Sequence, residues 1–253
     1  MVLAAVPRRE NLSVASMHAR FEKFLRSCSD ACACLNVVDH LGSRLDDRRS
    51  PGNMDLIIVR HARPIREERA VEDGPADPPL SERGLGQANR AADFLAAEPI
   101  DHLVASSMLR AHQTAMPLAE RLGFEIELRD DLREADQHSN RYVPIEEMTP
   151  DDPFIKELIA DPLSIFGGDY DSFFNRVVGG FDDIIAENSG RTVAVYCHAM
   201  VMSVYLQSLW ELKDPFQSQP GYTGIHRVRA SSSTGLRTVR SVNETGHVRD
   251  LLQ

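Results

Sequence analysis

The sequence predicts an α/β fold, a three-layer sandwich in which a mostly parallel sheet is covered by helices on both faces. Three observations lead there. Short apolar runs alternate with segments of helical periodicity from Asp55 onward. The first of those runs, DLIIV, is continuously apolar and β-branched, the form of a strand buried on both faces. The apolar fraction of 42% and charged fraction of 26% match a globular domain, and 253 residues suffice to bury a sizeable core. Strands that alternate with helices build parallel sheets, because each crossover helix packs back onto the sheet.

The elements follow in order. After DLIIV, the segment SERGLGQANRAADFLAAE opens with Ser81 as N-cap and sets Leu85, Ala88, Ala92 and Leu95 on one helical face. HLVAS is a second strand. MLRAHQTAMPLAERLG is a second helix, closed by Gly123 as C-cap. FEIEL alternates as a third strand. Residues 135–168 are less regular and rich in proline and acid, and an insertion of this length at a strand end makes a lid or substrate wall. DYDSFFNRVVGGFDDIIAEN reads as a long helix, although Gly179 and Gly180 each cost it about 1 kcal/mol relative to alanine. RTVAVYC is a fourth strand, followed by the helix AMVMSVYLQSLW. Two late β-like stretches, YTGIHRVRA and GLRTVRSV, complete the pattern.

Residues 1–53 differ from the rest: they show no sustained period and end in DDRRSPGN. They are expected to form a poorly ordered N-terminal extension upstream of a start at Met54, leaving 54–253 as the folded domain. Cys28, Cys32 and Cys34 lie in this extension. Their spacing lacks the paired C-x-x-C of a strong zinc motif even with His40 as a fourth ligand, so free thiols are expected. Without a disulfide framework or a signal peptide, and with Arg8-Arg9 lacking a following apolar stretch, a cytoplasmic location is expected. No apolar run reaches the roughly 18 residues of a membrane span. A net charge of −10 disfavours non-specific nucleic-acid binding, which demands a cationic face. It leaves room for a local arginine pocket and a small phosphorylated substrate.

Open α/β sheets bind ligands outside the carboxyl ends of their strands, and there the charged residues converge. Strand one runs into Arg60-His61-Ala62-Arg63, strand two into Ser106 and then Arg110. Strand three precedes Arg133 and Glu134, and strand four runs into Cys197-His198. Arginine offers a planar fork of donors that matches phosphate oxygens, and helix N-termini add backbone N–H groups. A neutral histidine at the centre is a nucleophile able to attack phosphorus. The arginines and a protonated second histidine then neutralise the equatorial oxygens, and a carboxylic acid protonates the leaving oxygen.

Five segments carry a family likeness: IIVRHARP, PPLSERGLGQA, ASSMLRAHQTA, VAVYCHAMVM and SVNETGHV. Together they resemble the motifs of the histidine phosphatase superfamily, with its phosphoglycerate mutase-like fold, over about four-fifths of the chain. Three departures stand out. Ala62 replaces the usual glycine after Arg-His, His198-Ala199-Met200 replaces His-Gly-Gly, and ADQHSNRY follows Glu134 in place of a glycine-rich aromatic stretch. The resemblance implies that His61 is the phosphorylated nucleophile, that Arg60, Arg110 and His198 form the phosphate pocket, and that Glu134 is the proton donor, with Asp136 as its competitor. Ser106 either caps the following helix or touches phosphate. Arg63 either binds substrate or pairs with an acid. The REER run at 66–69 reads as a solvated loop face, and Met200 and Met202 as core packing.

The expected activity is metal-independent hydrolysis of a phosphate monoester through a phosphohistidine, without cofactor. Two alternatives share the scaffold: a phosphoglycerate mutase-type phosphotransferase and a non-catalytic binder of phosphorylated ligands. A metal site built from His61, His198, Glu134 and Asp136 is disfavoured by the neighbouring arginines. Homo-oligomerisation stays open.

Overall fold

Leu56 and Ile58 face one layer of helices while Ile57 and Val59 face the other, so the first strand is apolar along its whole length because both of its faces are covered. The computed structural model describes residues 52–252. The expectations for the N-terminal extension, with its three cysteines and His40, fall outside the described residues, apart from Gly52 and Asn53.

Along the chain run β1 (Asn53–Arg60), the short β2 (Glu67–Glu68), α1 (Glu82–Leu95), β3 (His102–Ser106), α2 (Leu109–Leu122), β4 (Ile126–Arg129) and the short β5 (Arg141–Tyr142). Then come α3 (Pro153–Ala160), α4 (Tyr170–Glu187), β6 (Thr192–Cys197), α5 (Ala199–Trp210), β7 (Ile225–Ser231) and β8 (Arg237–Glu244). Six strands form one sheet in the order β4-β3-β6-β1-β7-β8. The first four of that order are parallel, and β7 and β8 extend the sheet antiparallel beyond β1. One face is packed by α4 and α5 through Val177, Phe181, Met202 and Tyr205. The other is packed by α1 and α2 through Ala92, Leu95, Ala115 and Leu118. This is the three-layer sandwich that the sequence predicts. No helix among the described residues is long and apolar enough to cross a membrane.

Several local expectations meet the coordinates directly. Ser81 caps α1, its Oγ accepting from the Gly84 N–H at 3.1 Å, and Gly123 ends α2 in the left-handed region at φ 69°. Leu85 is a correction: it is 48% exposed. Ala88, Ala92 and Leu95 are buried as expected, and Gly84, Gln87 and Ala91 complete the buried face of α1. Small residues there let the helix approach the loop after β1, and a Cβ on Gly84 would lie 2.0 Å from the Arg63 carbonyl oxygen. Gly180 has a similar reason, since its Cβ would meet the Asp131 carboxyl carbon at 2.8 Å. The REER run is also corrected, because Glu67-Glu68 pair with Arg141-Tyr142 as an antiparallel ribbon. Met202 is core as expected, but Met200 lines the cavity. The lid carries α3 and several short 3-10 turns.

Candidate active site

Register brings the two histidines together. In the parallel pairing of β1 with β6, Arg60 lies opposite Cys197, so the next residue of each strand, His61 and His198, emerges at the same level. The His61 N–H donates to the Cys197 carbonyl at 2.8 Å, extending the ladder by one bond. The ring centroids are 5.1 Å apart. On the far side of β6, β3 ends at Ser106, whose Oγ lies 2.8 Å from His198 Nε2. All three residues are buried.

The hydrogen bonds assign the ring protons. His61 Nδ1 lies 2.8 Å from the Ala62 carbonyl oxygen. A carbonyl only accepts, so Nδ1 carries the proton and Nε2 keeps its lone pair. Ser106 Oγ accepts from the Met108 N–H at 3.3 Å, and among the described residues His198 Nε2 is the one acceptor within reach of its hydroxyl hydrogen. The proton of His198 then sits on Nδ1, a buried atom with no partner. Ser106 thus fixes the tautomer of His198 rather than capping α2. The cap comes from Asp77, whose carboxylate accepts from the Leu109 N–H at 3.0 Å.

Two arginines frame the pair. Arg110 is fully buried on the first turn of α2, with Nη2 on Asp136 at 2.8 Å and its guanidinium over the Tyr142 ring at 4.8 Å. Arg60 donates to the Pro220 carbonyl at 2.7 Å and lies over Tyr222 at 4.2 Å. Arg60 Nε, Arg110 Nε and Arg110 Nη1 are buried donors without hydrogen-bond partners, Arg110 Nη1 lying 3.9 Å from the Asp77 carboxylate. Such atoms are costly unless an acceptor comes to them. Four unpartnered N–H donors, counting His198 Nδ1, describe a receptor for an oxyanion.

Electrostatics follow from this packing. Burial, then Arg110, then Arg60 hold the His61 pKa well below its ordinary 6.5. The same burial and Arg110 do so for His198, with His61 adding to them. In the free site these shifts favour neutral imidazoles; the protonated second histidine expected from sequence concerns the phosphate-bound state, whose added negative charge favours the imidazolium. Glu134 follows the 3-10 turn after β4 and is buried. Its Oε1 accepts from the Ala135 N–H at 2.9 Å and its Oε2 from the Met200 N–H at 3.0 Å, at the start of α5. Burial, and then the Asp136 charge, raise its pKa above the usual carboxylate value despite those two bonds. Asp136 is engaged with Arg110, which leaves Glu134 as the carboxyl suited to donate a proton.

Not every predicted residue joins the site. Arg63 turns away: its Nε donates to Glu146 at 2.8 Å and its Nη2 bonds Glu147, tying the loop after β1 to the lid. Its main-chain N–H donates to Gln87 Oε1 at 2.9 Å. Ala62, the departure from glycine, packs with Leu80 and Ala88 and donates its N–H to Thr114 Oγ1 at 2.9 Å. Its methyl group is core, and its backbone has no positive φ. Tyr142, Tyr222 and Arg176 were not legible from sequence. Asn243 supplies a partial signal for Tyr222, since its Oδ1 accepts from the Gly221 N–H at 2.8 Å and pins that loop. Among the described residues, no group of three or more His, Cys, Asp or Glu side chains could hold a metal ion.

Comparison with known proteins bears on the family and the fold. The model of the histidine phosphatase superfamily, branch 1, matches residues 56–245. A "bifunctional protein" of Mycobacterium tuberculosis is 29% identical over 203 residues, 76% of this chain and 54% of the relative. The chain thus spans about half the length of that relative. Phosphoserine phosphatase 1 of Hydrogenobacter thermophilus is 31% identical over 153 residues, 58% of this chain and 72% of the relative. Among solved structures, a phosphoserine phosphatase variant of Entamoeba histolytica in complex with phosphoserine superposes with a TM-score of 0.59 at 21% identity, covering 77% of this chain and 99% of that one. A phosphoglycerate mutase from Bacillus anthracis gives 0.59 at 18% identity, covering 81% and 99%.

Proposed function

The chain belongs to the histidine phosphatase superfamily, and from that membership and the site's geometry we propose that it hydrolyses phosphate monoesters through a phosphohistidine on His61. One observation carries the reading: His61 offers a free Nε2 lone pair, fixed by the Nδ1 bond to Ala62, among unpartnered arginine donors.

The monoester places its phosphoryl oxygens on Arg60, Arg110 and His198 Nδ1. Nε2 attacks phosphorus, and the N–P bond forms as the P–O bond to the leaving alcohol breaks. Glu134, whose pKa burial raises, gives its proton to the departing oxygen. The resulting carboxylate then takes a proton from water, whose oxygen attacks phosphorus and releases inorganic phosphate and free His61. The buried donors are already in place for the charge that develops, so little reorganisation is needed during the reaction.

Hydrolysis is favoured over phosphoglycerate mutase-type transfer because the site opens into a cavity of about 890 Å³. That is far more room than a three-carbon acid needs, and it leaves space for water. A purely non-catalytic role would have no use for a proton-holding Glu134 beside a free imidazole nitrogen. The test is release of inorganic phosphate from an aryl phosphate, with chelator present, by the protein and by His61→Ala. Turnover by the former and none by the latter is expected; equal turnover removes His61 as nucleophile.

A further inference from the structure

The phosphoryl group of a monoester fills only the inner end of the cavity, whose volume is about 890 Å³. The outer part is walled largely by the lid. Phe154 and Leu158 stand one turn apart on α3 and line it, together with Met148, Ile165 and Phe216. None of the eight residues of α3 is buried, although Phe154, Ile155, Leu158 and Ile159 are all apolar. A helix so rich in apolar residues ordinarily covers them against a core. Here Phe154 and Leu158 face the substrate chamber.

Of the two further arginines that line the cavity, one is paired with carboxylates and the other holds main-chain carbonyls. Arg141 is held by Asp152 at 2.7 Å and by Glu68 at 2.8 Å. Arg176 directs Nη1 to the main-chain carbonyls of Asp130, Asp131 and Arg133 at 3.3, 2.8 and 2.9 Å. Its remaining unpartnered nitrogen, Nη2, is itself buried. The carboxylates that line the chamber, Glu157 and Asp169, repel an anionic leaving group. Beyond the phosphate-binding arginines, the one lining arginine among the described residues without a carboxylate partner is Arg176, at the inner end beside the turn that carries Glu134, so a carboxylate reaching to the outer wall meets no unpaired arginine there.

We propose that the leaving group of the natural substrate is bulky and predominantly apolar, an aromatic or extended aliphatic alcohol seated against Met148, Phe154, Leu158, Ile165 and Phe216. This inference rests on the phosphatase reading. The reaction is the same: water is consumed, the P–O bond breaks, and the alcohol leaves with the Glu134 proton.

The experiment is kcat/KM for n-alkyl phosphates of increasing chain length, with phosphoserine and 3-phosphoglycerate as anionic comparators. Burial of each added methylene predicts a rise of about fourfold per carbon over the first several carbons. The anionic pair is expected to fall below the longer alkyl esters. In Leu158→Ser and Phe154→Ser, both on a partly exposed helix that the core does not need, the slope with chain length should flatten. A flat or falling series, or a preference for phosphoserine, while short alkyl phosphates are still hydrolysed, overturns the apolar chamber and leaves the phosphatase reading standing. If no ester is hydrolysed, the phosphatase reading fails and takes the inference with it.

Discussion

His61 and His198 face each other across the ends of two neighbouring strands, their ring centroids 5.1 Å apart, and burial, with the same Arg110 beside them, lowers the pKa of both imidazoles. The pair divides its work by tautomer. Nε2 of His61 is bare, whereas Nδ1 of His198 carries a hydrogen with no protein acceptor. In the proposed reaction one ring attacks phosphorus and the other holds its oxygens.

This division sets the pH dependence. The depressed pKa of His61 keeps it unprotonated as pH falls, down to well below 6.5. The raised pKa of Glu134 keeps it protonated above the ordinary carboxylate range. The active form therefore lies between the two, and kcat/KM falls as pH rises through the Glu134 ionisation. In Glu134→Gln that alkaline limb disappears. Persistence of the same limb in the variant assigns it to another group.

The acid is also tested by the leaving group. With an alkyl phosphate, Glu134→Gln should lose about 10²- to 10⁴-fold in kcat, the usual contribution of general acid catalysis. With p-nitrophenyl phosphate, whose phenolate departs without help, the loss should be far smaller. Equal losses on both esters would show that Glu134 does something other than protonate the departing oxygen.

Arg176 is a positioning residue by the same geometry. Its Nη1 gathers the carbonyls of Asp130, Asp131 and Arg133, the turn that delivers Glu134. Arg176→Met should lower kcat on alkyl phosphates by on the order of tenfold to a hundredfold through misplacement of the acid. KM should change little, and the effect on p-nitrophenyl phosphate should be smaller. Arg176→Lys should rescue in part, since one ammonium cannot reproduce the guanidinium fork. A uniform loss on every ester, tracking thermal stability, would reduce the residue to a structural one.

Gly84 supports the loop that carries His61. A methyl group there would sit 2.0 Å from the Arg63 carbonyl oxygen, so α1 or the loop has to shift. Gly84→Ala should cost about 1–3 kcal/mol of stability, as overpacked sites do, and should lower activity at temperatures where the variant remains folded. Calorimetry and a rate measurement at low temperature check the two effects separately. An unaltered melting temperature contradicts the packing described.

Much of this arrangement was readable before any coordinates. DLIIV and RTVAVYC signalled parallel strands because a strand covered on both faces needs no polar side, and their ends fixed where His61 and His198 emerge. Ser106, Arg110 and Glu134 were found the same way, as charged or polar residues at equivalent strand ends. What sequence did not disclose depends on long-range placement. Arg63 looks like part of the Arg-His loop, yet two lid acids, Glu146 and Glu147, draw it off the site. The neutrality of His198 in the free site depends on burial beside Arg110, which no local pattern encodes. Tyr142 lies on the two-residue β5 and Tyr222 in a loop, neither within a periodic run, and their value is that their rings support Arg110 and Arg60. Leu85 fitted a helical face by spacing alone, but close packing at Gly84 turned the helix so that alanines and Gln87 face inward.

The central claim is a covalent bond between phosphorus and His61 Nε2, and acid quench of the enzyme during turnover, followed by peptide mass spectrometry under alkaline conditions, tests it most directly. The expected result is a phosphoryl group on the peptide carrying His61, labile to acid, accumulated further in Glu134→Gln with an aryl phosphate and absent from His61→Ala. Steady hydrolysis with no phosphorylated histidine in any of the three proteins, or a label on a different residue, would contradict it.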